Sequence, residues 1–155
     1  MENPTYISAY RCFAKLGYAM CTISMDEAGM RPAELEKSGA DLAYIMPSHQ
    51  FPMGMVMPMK RRMQLLAWAS RENGRYLIED DYDSEFRYKG RPIPALQGND
   101  TEGKVIYLGT FSRAIAPAIR ISYMVLPETL LPAYEENGRC FSATVSKTDQ
   151  KMLEE

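Results

Sequence analysis

Five short apolar runs recur along the chain, and each is bounded by turn or polar residues. They occupy positions 21–25, 42–46, 76–79, 105–108 and 121–126. Runs of this length, rich in Ile, Val, Leu, Met and Tyr, are typical of strands that are buried on both faces of a sheet. Such a sheet must be covered by other elements, so these runs strongly limit the folds that the chain can adopt.

Helical patterns lie between these runs, and they are predicted at 4–16, 32–37 and 58–73. The last of them begins at a proline and ends near a glycine. The apolar side chains that recur in it near helical spacing are Met59, Met63, Leu66 and Trp68 or Ala69. Because strands and helices alternate at intervals that suit crossover connections, the sequence predicts an α/β fold with a mainly parallel sheet.

Two further helices are expected toward the C-terminus. One begins near Pro127 and ends at Asn137 and Gly138, and the other begins at Ser146. The chain opens almost on a turn, without a strand before it. This organisation predicts an internal piece of a larger protein.

Composition excludes several classes of function. The 155 residues are 46% hydrophobic and 25% charged, which suits one packed core, and the net charge is −2. Basic residues are scattered except for Lys60, Arg61 and Arg62, so we expect any DNA contact to be made by a segment outside this chain. No apolar run approaches the about 20 residues that cross a bilayer.

The three cysteines indicate a reducing compartment. Cys12, Cys21 and Cys140 are odd in number, lack CxxC spacing and follow no N-terminal apolar signal segment. This usage predicts free thiols in the cytoplasm and argues against a metal site.

Acidic residues follow the apolar run at 76–79 directly. A carboxylate such as Asp80 at a strand end can pair with a protonated heteroaromatic nitrogen, and Tyr82 can then reach a ring hydroxyl. The alternative interpretation is that Asp80, Asp81 and Asp83 are loop acids that cap the next turn.

The segment TFSRAIAPAIR follows the run at 105–108. Thr110 and Ser112 offer hydroxyls, and Arg120 follows Arg113 by seven residues. Together with backbone N–H groups, these side chains can hold a phosphate by charge-assisted hydrogen bonds. The alternative is that the Ser and Thr only form local turns, which this pattern alone favours.

A loop rich in Pro and Gly, PSHQFPMG, carries the only histidine, His49. A lone histidine in a loop is more often structural than a general base. The methionine-rich stretch 53–63 is more typical of a core than of a soft metal site, since no paired Cys or His accompanies it.

Three segments, PSHQFPMGMVMPMKRR, YLIEDDYDSEFRY and IYLGTFSRAIAPAIRISYMVLP, resemble in order and separation the aminotransferase-like domain of MocR-type regulators. These are GntR-family bacterial transcription factors in which a winged helix-turn-helix is fused to a fold-type I domain that binds pyridoxal 5'-phosphate (PLP). The resemblance covers nearly the whole chain. It implies a three-layer α/β/α, aspartate aminotransferase-like large domain, present in part, in a cytoplasmic protein that is homodimeric at full length.

The resemblance assigns roles to individual residues. Asp80 would pair with the pyridine nitrogen of PLP, Tyr82 would contact the ring hydroxyl, and Tyr6 would lie near the ring. The phosphate would be held by Thr110, Ser112 and Arg120. The loop at His49 and Gln50 corresponds roughly to the place where aminotransferases carry an asparagine beside the cofactor.

Arg113 stands where the family carries the lysine that forms a Schiff base with PLP. A guanidinium stays protonated at ordinary pH and cannot form that imine. A pocket built for lysine can accept its length, and its charge can face an aldehyde, phosphate or carboxylate. Transamination also needs the lysine amine to move a proton, so this chain is expected to have little or no activity.

The leading hypothesis is a regulatory domain that senses PLP, or a small amino compound joined to it, and relays occupancy to a DNA-binding domain outside these residues. The alternatives are a fragment of a class I/II PLP-dependent aminotransferase and an inert remnant. A nucleotide-binding Rossmann domain is set aside, because neither GxGxxG nor GxxxxGK[ST] occurs. Residues 1–136 are expected to belong to the large domain, and 137–155 to start its connection to a small C-terminal domain.

Overall fold

The computed structural model describes residues 1–83, 94–112, 120–138 and 145–154. The strands in these ranges are β1 (Glu2–Asn3), β2 (Ile23–Asp26), β3 (Gly29–Met30), β4 (Leu42–Ile45), β5 (Tyr76–Asp81), β6 (Val105–Thr110) and β7 (Ser122–Val125). The α-helices are α1 (Ile7–Lys15), α2 (Pro32–Lys37), α3 (Met59–Ser70), α4 (Leu131–Gly138) and α5 (Lys147–Glu154).

The principal sheet has four strands in the order β4-β5-β6-β7. The first three are parallel, and β7 runs antiparallel to β6. In this register Tyr44 pairs with Ile78, and Asp80 pairs with Leu108. The sheet confirms the predicted α/β fold with mainly parallel strands, and four of the five apolar runs form it.

The remaining run, at 21–25, forms β2 in a separate three-stranded sheet with the order β1-β2-β3. β2 pairs parallel with β1 and antiparallel with β3. Each of these two neighbours is only two residues long. The sequence analysis does not predict them, because so short a strand leaves no periodic pattern.

Helices cover the principal sheet on both faces. On one face Ala43, Ile45 and Leu77 pack with Leu65 and Trp68 of α3 in one buried cluster. On the other face Tyr44, Met46 and Ile78 form a second cluster, against which the α1 side chains of Tyr10 and Phe13 pack. The arrangement is a three-layer α/β/α domain, as expected from the sequence.

The buried face of α3 differs from the predicted one. Its buried residues are Arg62, Leu65, Trp68 and Ala69. Met59 and Met63, which helical spacing predicts on the apolar face, are 42% and 37% exposed. The prediction is correct for Trp68 and Ala69 and wrong for Met59 and Met63. The difference arises because the buried face includes a fully buried arginine, which a search for hydrophobic periodicity does not count.

Arg62 can be buried because its guanidinium makes hydrogen bonds to backbone carbonyls. Nε donates to Met57 O at 3.0 Å, Nη1 to Pro94 O at 2.8 Å and Nη2 to Pro47 O at 2.8 Å. A buried charge is tolerated where its donors are satisfied. Arg62 therefore fastens both ends of the loop 47–57 to α3.

The other predicted helices are present, and all but α2 have shifted ends. α2 has the predicted bounds, α1 begins three residues later than predicted, and α4 follows a 3₁₀ turn at Glu128–Leu130. The Ser146 hydroxyl accepts the Asp149 N–H at 3.0 Å at the start of α5, which is how serine caps a helix.

Cys12 and Cys21 are exposed free thiols, while Cys140 lies outside the described residues. Among the described helices, none has the length and apolar character needed to span a membrane.

Candidate functional site

A cavity of about 590 Å³ lies at the carboxyl ends of β5 and β6. Polar and aromatic side chains from several segments meet there, as expected for the ligand-binding edge of a parallel sheet. The lining residues are Tyr6, Met46, Phe51, Asp80, Tyr82, Thr110, Ser112, Arg120 and Ser122.

Six of the seven predicted site residues line this cavity. They come from the residue before α1, from β5 and the residue after it, from β6 and its following turn, and from a position two residues before β7. Arg113, the seventh, lies outside the described residues. The structure thus brings together side chains separated by more than one hundred residues, while their binding of a cofactor stays a prediction.

Asp80 is the acid of this cavity. It lies near the end of β5, is half-buried and accepts a hydrogen bond at Oδ2 from the Tyr44 hydroxyl. Burial raises the pKa of Asp80 above its usual value, the bond from Tyr44 lowers it, and the charge of Asp81 raises it. A cation beside Asp80 would therefore stabilise the charged carboxylate.

Asp81, the next residue, belongs to the opposite face of the sheet. Its Oδ2 accepts a hydrogen bond from the Tyr107 hydroxyl at 3.0 Å. Successive residues of a strand point to opposite faces, so only one of the two neighbouring aspartates can line the cavity. Of the two, Asp80 lines the cavity, and its hydrogen bond from Tyr44 connects two strands instead of capping a local turn.

Tyr82 is packed against His49. The two rings are stacked, with centroids 5.7 Å apart and planes at 19°. His49 Nδ1 lies 2.5 Å from Asp83 Oδ2. His49 is absent from the cavity lining, so its position favours a structural role in holding Tyr82 over general base catalysis.

The hydroxyl groups after β6 are fixed by local hydrogen bonds. Thr110 Oγ1 donates to Ile121 O at 3.2 Å and accepts the Ser112 N–H at 3.2 Å. The Phe111 N–H also donates to Ile121 O, at 3.0 Å. These bonds join the turn after β6 to the residue that precedes β7, so the two hydroxyls and Arg120 belong to one local unit.

Arg120 has a left-handed backbone, with φ of 53°. This conformation is unfavourable for a residue with a Cβ, by about 1–2 kcal/mol. Such outliers cluster at binding sites, where the surrounding structure holds them in place. Arg120 is itself exposed and lines the cavity.

An aromatic pair forms another part of the cavity wall. Tyr6 and Phe51 meet edge to face, with ring centroids 6.0 Å apart. Gln50 fastens their segments, because its Nε2 donates to Pro4 O at 2.9 Å and to Phe51 O at 2.8 Å. Gln50 is itself buried outside the lining, so Phe51 and not Gln50 is the loop residue that faces the cavity.

Tyr44, Phe51 and Met46 also belong to the site or its support, although the sequence does not predict them. Each lies in or just after an apolar run or in a loop, where composition signals packing. For Tyr44, the sequence shows only a tyrosine in the apolar run before the one that Asp80 follows. The pairing of β4 with β5, which brings it to Asp80, is a tertiary fact.

No family model matches the chain, but individual relatives do. The HTH-type transcriptional regulator YhdI of Bacillus subtilis is 44% identical over 152 residues, which covers 98% of this chain and 32% of the relative. The probable rhizopine catabolism regulatory protein MocR of Rhizobium meliloti is 36% identical over 135 residues, which covers 87% and 27%. The chain therefore spans about a third of the length of the curated relatives it matches.

Solved structures agree with the fold. The kynurenine aminotransferase of Pyrococcus horikoshii, solved in complex with PMP, is 34% identical with a TM-score of 0.79 over 88% of this chain and 36% of that one. The fold and site define part of the large domain of an aspartate aminotransferase-like protein. Within that class, the chain corresponds to the central large-domain region of the aminotransferase-like domain of MocR-type, GntR-family regulators.

Proposed function

We propose that this chain is the central part of a PLP-binding, effector-sensing domain of a MocR-type transcriptional regulator. The observation that carries this proposal is the single cavity lined by Tyr6, Asp80, Tyr82, Thr110, Ser112 and Arg120. These are the residues to which the family resemblance assigns the cofactor. These residues can bind one PLP molecule only if they lie close together, and they do so at one edge of the sheet.

The donor set fits the chemistry of PLP. Asp80 provides an anionic acceptor for a protonated pyridine nitrogen, and Tyr82 provides a hydroxyl for the ring oxygen. Thr110, Ser112 and Arg120 provide hydroxyls and a guanidinium for a phosphate. The volume of about 590 Å³ lies within the range of small-molecule sites.

When bound, PLP supplies an aldehyde that condenses with primary amines and a ring that withdraws electrons. The described residues bind and orient it: the carboxylate and the guanidinium lie in one cavity and match opposite charges of the ligand. The exposed Tyr6 and Phe51 rings are available to cover an apolar part of an amino compound.

Arg113 favours a sensor over an enzyme. Because a guanidinium forms no imine with an aldehyde, PLP would be held by noncovalent contacts alone. A sensor needs only that its ligand binds one state of the protein better than another. Without the lysine the chain loses catalysis, but PLP can still bind one state of the protein better than another.

DNA recognition and dimerisation belong in this proposal to the full-length protein. The net charge of −2 gives these residues no strong attraction to a phosphate backbone. A winged helix outside the chain would bind DNA, and PLP with a small amino compound would be the effectors. Residues 137–155 would begin the connection to the small domain.

The second candidate is a fragment of a PLP-dependent aminotransferase that transfers an amino group between an amino acid and a 2-oxo acid. The 34% identity to the Pyrococcus enzyme favours it. Its weakness is Arg113, since that reaction needs an amine to transfer the proton. The two candidates differ in whether a covalent bond to PLP forms.

The test is an absorbance titration of the purified protein with PLP, followed by intact-mass measurement with and without borohydride reduction. Saturable binding without a stoichiometric adduct supports the noncovalent sensor. An adduct that maps to one lysine supports the enzyme, and the absence of binding supports the remnant. Arg120→Ala should weaken binding, whereas Arg71→Ala, the same charge change at an exposed residue outside the cavity, should not.

A further inference from the structure

Two tyrosine–aspartate hydrogen bonds lie side by side at the carboxyl end of β5, on opposite faces of the sheet. Tyr44 donates to Asp80 on the face that carries the cavity. Tyr107 donates to Asp81 on the face that packs against α3. The two bonds are chemically alike, but only the first reaches a carboxylate that lines the cavity.

The fold places Tyr44 firmly. It lies on β4 opposite Ile78, so that its side chain shares a face with Asp80, two residues further along β5. The ring is 3% exposed and meets Phe13 edge to face, with centroids 6.0 Å apart. Tyr44 does not line the cavity, and any effect on a ligand must pass through Asp80.

The direction of the hydrogen bond is fixed by the two groups. Burial and the charge of Asp80 raise the pKa of Tyr44 above its usual value, so the phenol keeps its proton and donates the hydrogen bond to Asp80. A hydrogen bond to the charged form of a carboxyl favours that form. The hydrogen bond therefore lowers the pKa of Asp80, whereas burial raises it and favours the protonated form.

We propose that Tyr44 is a positioning residue that keeps Asp80 ionised and turned toward the pyridine nitrogen of PLP. This proposal rests on the proposed function and deepens it. Without the phenol, Asp80 would take up a proton more readily and lose the charge that attracts a pyridinium. Among the described residues, the titratable groups that act on Asp80 are Tyr44 and Asp81. Those that act on Tyr44 are Asp80, Glu2 and Tyr6.

The first experiment needs no ligand. The pKa of Asp80 is measured by ¹³C NMR of the carboxyl groups as a function of pH, with the resonance assigned by Asp80→Asn. In Tyr44→Phe the midpoint should move to higher pH, because the hydrogen bond is lost. Tyr107→Phe, the matched control, should leave it in place. An unchanged midpoint in Tyr44→Phe overturns the proposal.

The second experiment measures PLP affinity. Tyr44→Phe should weaken binding about tenfold, because Asp80 is then held less strongly in the charged, oriented form that attracts a pyridinium. Tyr107→Phe should bind as wild type, even if thermal unfolding shows that both variants lose similar stability. Equal affinity of Tyr44→Phe and wild type overturns the proposal, because the Asp80 contact to PLP would then be independent of Tyr44.

A third variant covers the case in which Tyr44→Phe does not fold. Difluorotyrosine incorporated at position 44 keeps the ring and makes the phenol a stronger donor, so the Asp80 midpoint should move to lower pH. If the midpoint of Asp80 does not move, the proposed role of Tyr44 is overturned.

If wild-type protein binds no PLP, the proposed function fails and the part of the proposal that concerns PLP fails with it. The Asp80 titration still decides separately whether Tyr44 keeps that carboxylate ionised.

Discussion

The imidazole of His49 stacks on the ring of Tyr82, with centroids 5.7 Å apart, while its Nδ1 lies 2.5 Å from Asp83 Oδ2. His49 thus connects the loop after β4 to two residues that follow β5. The cavity residue of this trio is Tyr82. The histidine limits how the tyrosine ring can move, which makes the loop a support for the cavity wall.

His49→Ala should weaken PLP binding several-fold, because the stacking contact, worth about 0.5–1.5 kcal/mol, no longer fixes Tyr82. Stability should change little, since the histidine side chain is 45% exposed. His49→Phe retains a ring to stack and should bind PLP more tightly than His49→Ala. Equal titration curves for wild type and His49→Ala would show that Tyr82 needs no support from this loop.

Arg62 should be a main determinant of stability. Arg62→Met removes three hydrogen bonds to the carbonyls of Met57, Pro94 and Pro47 and leaves these acceptors buried. We expect a loss of roughly 3 kcal/mol in the free energy of unfolding, measured in urea. Lys60→Met, at an exposed position of the same helix, is the control and should cost less than about 0.5 kcal/mol.

The contrast between Asp80 and Arg62 shows what the sequence reveals. Asp80 directly follows an apolar run, and parallel strands place their carboxyl ends together, so its location is predictable from local pattern. Arg62 looks like one of three surface cations in Lys60, Arg61 and Arg62. Its burial depends on carbonyls from residues 47, 57 and 94, and those of residues 47 and 94 are distant in sequence.

The loop after β4 shows the same limit. PSHQFPMG signals a turn, but the side chain that faces the cavity depends on how Gln50 bonds to Pro4 and Phe51. The small sheet formed by β1, β2 and β3 is likewise a tertiary product, because two of its strands have two residues each. Local sequence pattern predicts the layers of the domain and the ligand-binding edge of the sheet. Which side chains line the cavity depends on tertiary packing.

Glu2 should make stability depend on pH. It is fully buried, Met46 N–H donates to its Oε2 at 3.3 Å, and burial raises its pKa from the usual 4.5 to about 7. Between these values the unfolded chain has released the proton that the folded chain keeps. The free energy of unfolding therefore falls as pH rises through this window, by roughly 3 kcal/mol from Glu2.

Glu2→Gln removes this titration. Its free energy of unfolding relative to wild type should improve between about pH 4 and about pH 8, since the variant carries no charge to bury. Urea unfolding at the two pH values measures the difference. Glu27→Gln, at an exposed carboxyl, is the control and should follow the wild-type pH dependence. Parallel curves for wild type and Glu2→Gln would contradict the prediction.

Arg120 allows backbone strain to be separated from charge. Its φ of 53° favours glycine, so Arg120→Gly should be more stable than Arg120→Ala by about 1 kcal/mol. Both variants lack the guanidinium and should weaken PLP binding to the same extent. Urea unfolding and PLP titration of the pair give the two quantities separately. If Arg120→Gly binds PLP as wild type does, the phosphate is held by other groups.

Arg113→Lys should restore the covalent bond that the wild-type residue excludes. A lysine amine can form an imine with the PLP aldehyde, whereas a guanidinium cannot. After borohydride reduction, peptide mapping should find the adduct at position 113 in this variant and not in wild type. Arg120→Lys is the control, because it adds an amine to the cavity at the place assigned to the phosphate.

The location of the adduct decides which of the two positions faces the aldehyde. An adduct at 113 alone supports the assignment of that position to the family lysine, and it predicts that the variant gains weak transaminase activity. An adduct at 120 would mean that the aldehyde lies where the phosphate was placed. The orientation of PLP between Asp80 and Arg120 would then have to be reversed. Absence of an adduct in Arg113→Lys, despite saturable PLP binding, would place residue 113 away from the aldehyde and remove the reason for which this chain is proposed to be noncatalytic.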